Sequence, residues 1–61
     1  MRPGDIVNHK NIKHLVHGRI ITISKSGLRA YVEFHKDYNP QLMHSAHAYY
    51  KLDLLEGKDE G

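Results

Sequence analysis

Six histidines fall within the sixty-one residues, and four of them form two i, i+3 pairs, His14-x-x-His17 and His44-x-x-His47. On a helix that spacing puts both imidazoles on one face and makes half of a metal site. On a strand it puts them on opposite faces. Both pairs border segments that read as extended, the chain has no cysteine, and no nearby carboxylate completes a ligand set. No metal site is expected. Ser24, Ser26 and Ser45 lack a nucleophile-elbow pattern and have no acid–base partners in view. A domain this small also has little room for a pocket of ordinary ligand volume unless chains assemble around one. The chain therefore reads as non-enzymatic, with no catalytic residue and no cofactor.

Binding chemistry has more support. Residues 2–36 hold seven basic side chains (Arg2, Lys10, Lys13, Arg19, Lys25, Arg29, Lys36) against Asp5 and Glu33, a balance of +5. Residues 37–61 hold two against five, a balance of −3, within a net charge of +2. Such asymmetry marks a basic surface for phosphates or for an acidic protein, or else simply a solvated face. For nucleic acid, the contact set is Lys10, Lys13, Arg19, Lys25 and Arg29, with Tyr31 stacking on a base or bracing an arginine. Glu33 and His35 share the face of Tyr31, and a carboxylate there opposes phosphate. A cross-strand packing role for Tyr31 is the plainer alternative. For a protein partner, the set is Tyr38, Met43, Tyr49 and Tyr50. Adjacent Tyr49 and Tyr50 point to opposite sides of a strand, so one of them is exposed. These tyrosines have an alternative role as caps on an open barrel end. The expected partner is thus RNA, DNA or a larger protein complex.

The elements that position these residues are short strands. Sixty-one residues make one domain at most, and a chain this short buries only about 60% of its unfolded surface. Without disulfides or a thiolate zinc site, two routes to stability remain: a compact closed sheet, or association with a partner or a second copy. No apolar run approaches the roughly 20 residues of a membrane span. The opening Met1-Arg2-Pro3-Gly4-Asp5 is not a signal-peptide pattern, so a cytoplasmic protein without a membrane partner is expected.

Pro3-Gly4-Asp5 is turn chemistry and leads into a strand at Ile6-Val7; Asn8 to Lys13 reads as a loop. Leu15 to Ile23 is rich in β-branched residues and changes phase after Ile20, which predicts a bulge near Ile21. Gly18 allows a sharp bend or the close passage of another segment. Lys25-Ser26-Gly27 is a hairpin turn with Gly27 at positive φ. From Leu28 to His35 the chain alternates, with Leu28, Ala30, Val32 and Phe34 facing the core and Arg29, Tyr31, Glu33 and His35 facing out. Ile6, Ile20, Ile23 and Leu54 complete the expected core. Residues 36–45 form a loop with one helical turn around Gln41-Leu42-Met43, His47–Leu52 a fourth strand, and Leu52–Glu56 a 3₁₀ turn and last strand. The fold class is all-β: a five-stranded small barrel over residues 1–56, with a polar, disordered tail over 57–61.

Pro3-Gly4-Asp5-Ile6-Val7, His17-Gly18-Arg19-Ile20-Ile21-Thr22-Ile23 and Ala30-Tyr31-Val32-Glu33-Phe34 resemble the SH3-like barrels of the KOW type. The match follows that family's "GD-x-V", "G-x-V-x-x-I" and "V-x-F" strands over roughly residues 3–56. The resemblance implies an SH3-like barrel that binds RNA, DNA or neighbouring proteins within transcription or translation machinery. Two other SH3-like families look similar. Val32-x-Phe34-x-Lys36-x-Tyr38-Asn39 with Leu54-Leu55-Glu56 resembles the small peripheral photosystem I subunit that docks electron carriers. Gly4-Asp5-Ile6-Val7 resembles the plasmid-borne type of dihydrofolate reductase. His47-Ala48-Tyr49-Tyr50 does not match the Val-Gln-Ile-Tyr segment that lines that enzyme's pore, so its activity is not carried over.

Overall fold

The most regular alternation in the chain, Arg29 to Phe34, becomes an interior strand of one antiparallel sheet. The fold is given by a computed structural model that describes residues 1–57. Its elements are β1 (Ile6–His9), β2 (Gly18–Ile23), β3 (Arg29–Phe34), β4 (Ala46–Lys51), a 3₁₀ turn (Leu52–Leu54) and β5 (Leu55–Gly57). The strand order is β4-β3-β2-β1-β5, and every neighbouring pair is antiparallel. β4 and β5 are the edges of this sheet, and among the described residues no ladder joins them. The expected tail begins too early at 57, because Gly57 pairs with Val7 as the last residue of β5. Residues 58–61 lie outside the described residues.

The core contains Val7, Leu15, Ile20, Ala30, Val32, Phe34 and Leu55, with Ile23, Leu42, Ala46, Tyr50 and Leu52 packed against it. Three expected core positions need correction. Ile6 gives way to Val7, because a one-residue change of register moves a strand's side chains to the other face, and Leu54 gives way to Leu55, because Leu54 ends the 3₁₀ turn and Leu55 opens β5. Leu28 is 71% exposed. It has the inward parity of Ala30, but it lies in the hairpin turn beyond the last row of the sheet, where no described residue buries it.

β1 runs two residues further than expected, because Asn8 and His9 pair with Glu56 and Leu55 of the returning β5. His9 points inward and is buried, yet its polar atoms are provided for. Its Nδ1 accepts the backbone N–H groups of Asn11 and Ile12 at 3.1 and 3.0 Å, which puts the ring proton on Nε2. β2 starts at Gly18 rather than Leu15, since His17 has a φ of 54° and breaks the extended run. A Cβ on Gly18 would lie 2.5 Å from the Phe34 ring, so the glycine makes room for that ring. The bulge falls where expected: Ile20 pairs with Val32 and Thr22 with Tyr31, leaving Ile21 unpaired and exposed. The extra residue returns Ile23 to the inward face, opposite Ala30. The Gln41–Met43 segment is not helical; a single turn is closed there by the Leu42 N–H on the Asn39 carbonyl at 2.8 Å.

The β2–β3 hairpin closes with the Gly27 N–H on the Ser24 carbonyl at 2.9 Å. Gly27 has a φ of 76°, and nothing lies within 4 Å of where a Cβ would stand. Its replacement therefore meets backbone strain alone. Gly27→Ala is expected to cost about 1 kcal/mol, or about 4–8 °C in Tm for a domain this size. A rise in Tm, read by thermal circular dichroism, would contradict this turn geometry.

Candidate nucleic-acid interface

Alternation and register build the outer face of the sheet in rows. Ala30, Val32 and Phe34 of β3 are buried, so Arg29, Tyr31 and Glu33 face out. Along β4, exposure alternates so that His47, Tyr49 and Lys51 are outward. Pairing then sets Arg29 opposite Lys51, Tyr31 opposite Tyr49, and Glu33 opposite His47. From β2, Thr22 extends the tyrosine row and Arg19 extends the Glu33 row. The Tyr31 and Tyr49 rings are 5.0 Å apart and tilted by 59°. The Glu33 Oε2 is 2.7 Å from the His47 Nε2. The surface thus has two cations at one end, an aromatic pair in the middle, and a carboxylate held by an imidazole at the other end, with Arg19 beside it.

The basic residues singled out from the sequence come from three parts of the fold: the hairpin turn, the connection after β1 and the outer face of β2 and β3. Lys25 sits in the hairpin turn between β2 and β3. Lys10 and Lys13 lie in the connection after β1, where the Lys10 N–H donates to the Leu54 carbonyl at 2.7 Å, in the 3₁₀ turn that follows Lys51. Arg19 is in register with Glu33 rather than with Arg29. The tyrosines also separate. Tyr49 joins Tyr31 on the outer face, whereas Tyr50 points inward with its ring edge-on to His9 and Phe34 at 5.6 and 5.3 Å. Burial there pushes the Tyr50 hydroxyl above its ordinary pKa, because the phenolate loses hydration. Tyr38 and Met43 are exposed in the β3–β4 connection, and the Tyr38 ring stacks on His17 at 3.9 Å. That stack, with Ile6, Arg19, Glu33 and His35, lines an open groove of about 300 Å³.

Lys51 was not among the residues picked out from the sequence, and Tyr49 stood with a different surface. The alternation His47, Tyr49, Lys51 carried the signal, but their neighbours across the sheet follow only from the β3–β4 register. Among the described residues no group of three or more His, Cys, Asp or Glu is placed to hold a metal ion. No helix among them is long and apolar enough to cross a membrane. Comparison with protein-family models, curated proteins and solved structures finds no match.

Proposed function

We propose that this chain is a small non-enzymatic binding module of SH3-like type that binds nucleic acid through the outer face of β2, β3 and β4. The SH3-like part is supported by the strand order: a four-stranded meander, a 3₁₀ turn, and a last strand that returns to pair with β1. Nucleic-acid binding rests on one observation, the Tyr31–Tyr49 pair set among Arg29, Lys51 and Arg19 on a solvent-facing sheet. Aromatic faces stack on any base, and cations track the phosphates. Glu33, which on sequence grounds opposes this reading, has Oε2 tied to His47.

The test is titration of labelled RNA, single-stranded DNA and duplex DNA at two salt concentrations. Binding should weaken steeply with salt. Replacing Arg19 and Arg29 together by alanine should flatten the slope of log affinity against log salt by about 1.4–1.8. Both side chains are exposed, so the fold should lose under about 0.5 kcal/mol per site. Failure of all three nucleic acids to bind would overturn the reading. Docking on a protein through exposed Tyr38 and Met43 would then take its place.

A further inference from the structure

The outer face has a polarity that nucleic-acid binding in general does not explain. Arg29 and Lys51 are directly opposed across β3 and β4, and like charges in that position destabilise a sheet. Among the described residues neither makes an ion pair. Two residues further along each strand stand Tyr31 and Tyr49, on the same face, because Ala30 and Tyr50 between them point inward. The two rows are about 7 Å apart along the strands, comparable with the reach from a phosphate to its own base. Glu33 lies in the next row again, on the far side of the tyrosines from the cations.

Resting on the nucleic-acid reading, we propose that the ligand is a single strand and that Arg29, Lys51, Tyr31 and Tyr49 form a one-nucleotide seat. A phosphodiester sits between the two cations, and its base lies on the tyrosine pair. An anion at that point relieves the repulsion between Arg29 and Lys51, and the guanidinium fork suits phosphate oxygens. Tyr49 is 56% exposed and open to a base. A base reaches a ring on a sheet surface only when unpaired, since a duplex buries base faces in its own stack and shows only edges.

The test uses a short labelled oligothymidylate and a hairpin duplex of similar length, with the whole chain. The single strand should bind at least tenfold more tightly than the duplex. Tyr31→Leu and Tyr49→Leu should each weaken single-strand binding by roughly 5- to 150-fold with the salt slope unchanged. Tyr31→Phe, which keeps the ring, should stay near the parent. Lys51→Gln should flatten the slope by about 0.7 and raise the Tm of the free protein. Equal binding of duplex and single strand, or leucine variants that bind like the parent, would overturn the seat and leave the broader reading standing. A lowered Tm in Lys51→Gln would overturn the opposed-cation argument. Binding of neither probe would remove both.

Discussion

Phe34→Ala is expected to cost about 3–5 kcal/mol and to leave a large unfolded fraction at room temperature. A domain of this length holds only about 3–9 kcal/mol in total. Phe34 is the largest fully buried side chain, and it sits where β3 crosses Gly18. Its ring fills the place of the missing Cβ at Gly18 and meets Tyr50 edge-on, 5.3 Å away at 88°. Alanine removes the ring from both contacts at once. The glycine offers no side chain to collapse into the void, so the cavity term stays near its full size. Phe34→Leu keeps part of the volume and should lose less. Urea melts of the two variants, followed by circular dichroism, give the ordering. An alanine variant with the parent's midpoint would show that the core is centred elsewhere.

The residues around Phe34 were also the most legible in the sequence. Strict alternation over Arg29–Phe34, a hairpin glycine and a phase change after Ile20 each have one physical reading, and the fold adopts it. Ambiguity entered where two apolar residues are adjacent. Ile6-Val7 and Leu54-Leu55 offer either parity, and only pairing with distant Gly18 and His9 decides that Val7 and Leu55 face inward. His9 hid the end of β1 for a related reason. A polar residue on the inward face interrupts the apolar pattern, and the backbone N–H groups that satisfy it come from the following loop. The candidate interface was half legible. Arg29 and Tyr31 follow from β3 alone, while Lys51 and Tyr49 reach their side only through the β3–β4 register.

The open sheet limits its own edges. Among the described residues β5 offers three residues to an incoming strand. β4 is longer but carries His47 and Lys51 among its outward residues. Short edges and charged side chains are the usual means of discouraging edge-to-edge pairing. The same residues that guard β4 line the proposed interface, so a ligand on that face also shields the longer edge.

Asn39→Asp should destabilise the fold by several kcal/mol at neutral pH, and by much less in acid. Asn39 is 1% exposed in the β3–β4 connection and ties it to the β1–β2 connection. Its Oδ1 accepts the Val16 N–H at 2.8 Å, and its Nδ2 donates to the Val16 and His35 carbonyls at 3.1 and 2.8 Å. An N–H on one side and two carbonyls on the other fix which way the amide points. The clamp ties the backbone beside His17 to that beside Tyr38, and these two rings stack on each other and line the groove with Arg19. A carboxylate has nearly the same shape but no donor. It keeps the Val16 N–H bond and turns a charged oxygen towards two carbonyl oxygens, out of reach of water. An uncompensated buried charge costs about 3–5 kcal/mol. Protonation restores one donor and removes the charge, so the introduced carboxyl has a folded pKa above its unfolded value of about 3.9. Between those two values the folded state binds more protons than the unfolded one. Stability relative to the parent is therefore greatest below about pH 4 and falls as pH rises through the raised value, by about 1.4 kcal/mol per unit of separation. Thermal melts of parent and variant at pH 4 and pH 7, taken as differences, cancel the titrations they share. A deficit that is the same at both pH values would show that the variant fails for a reason other than the buried charge.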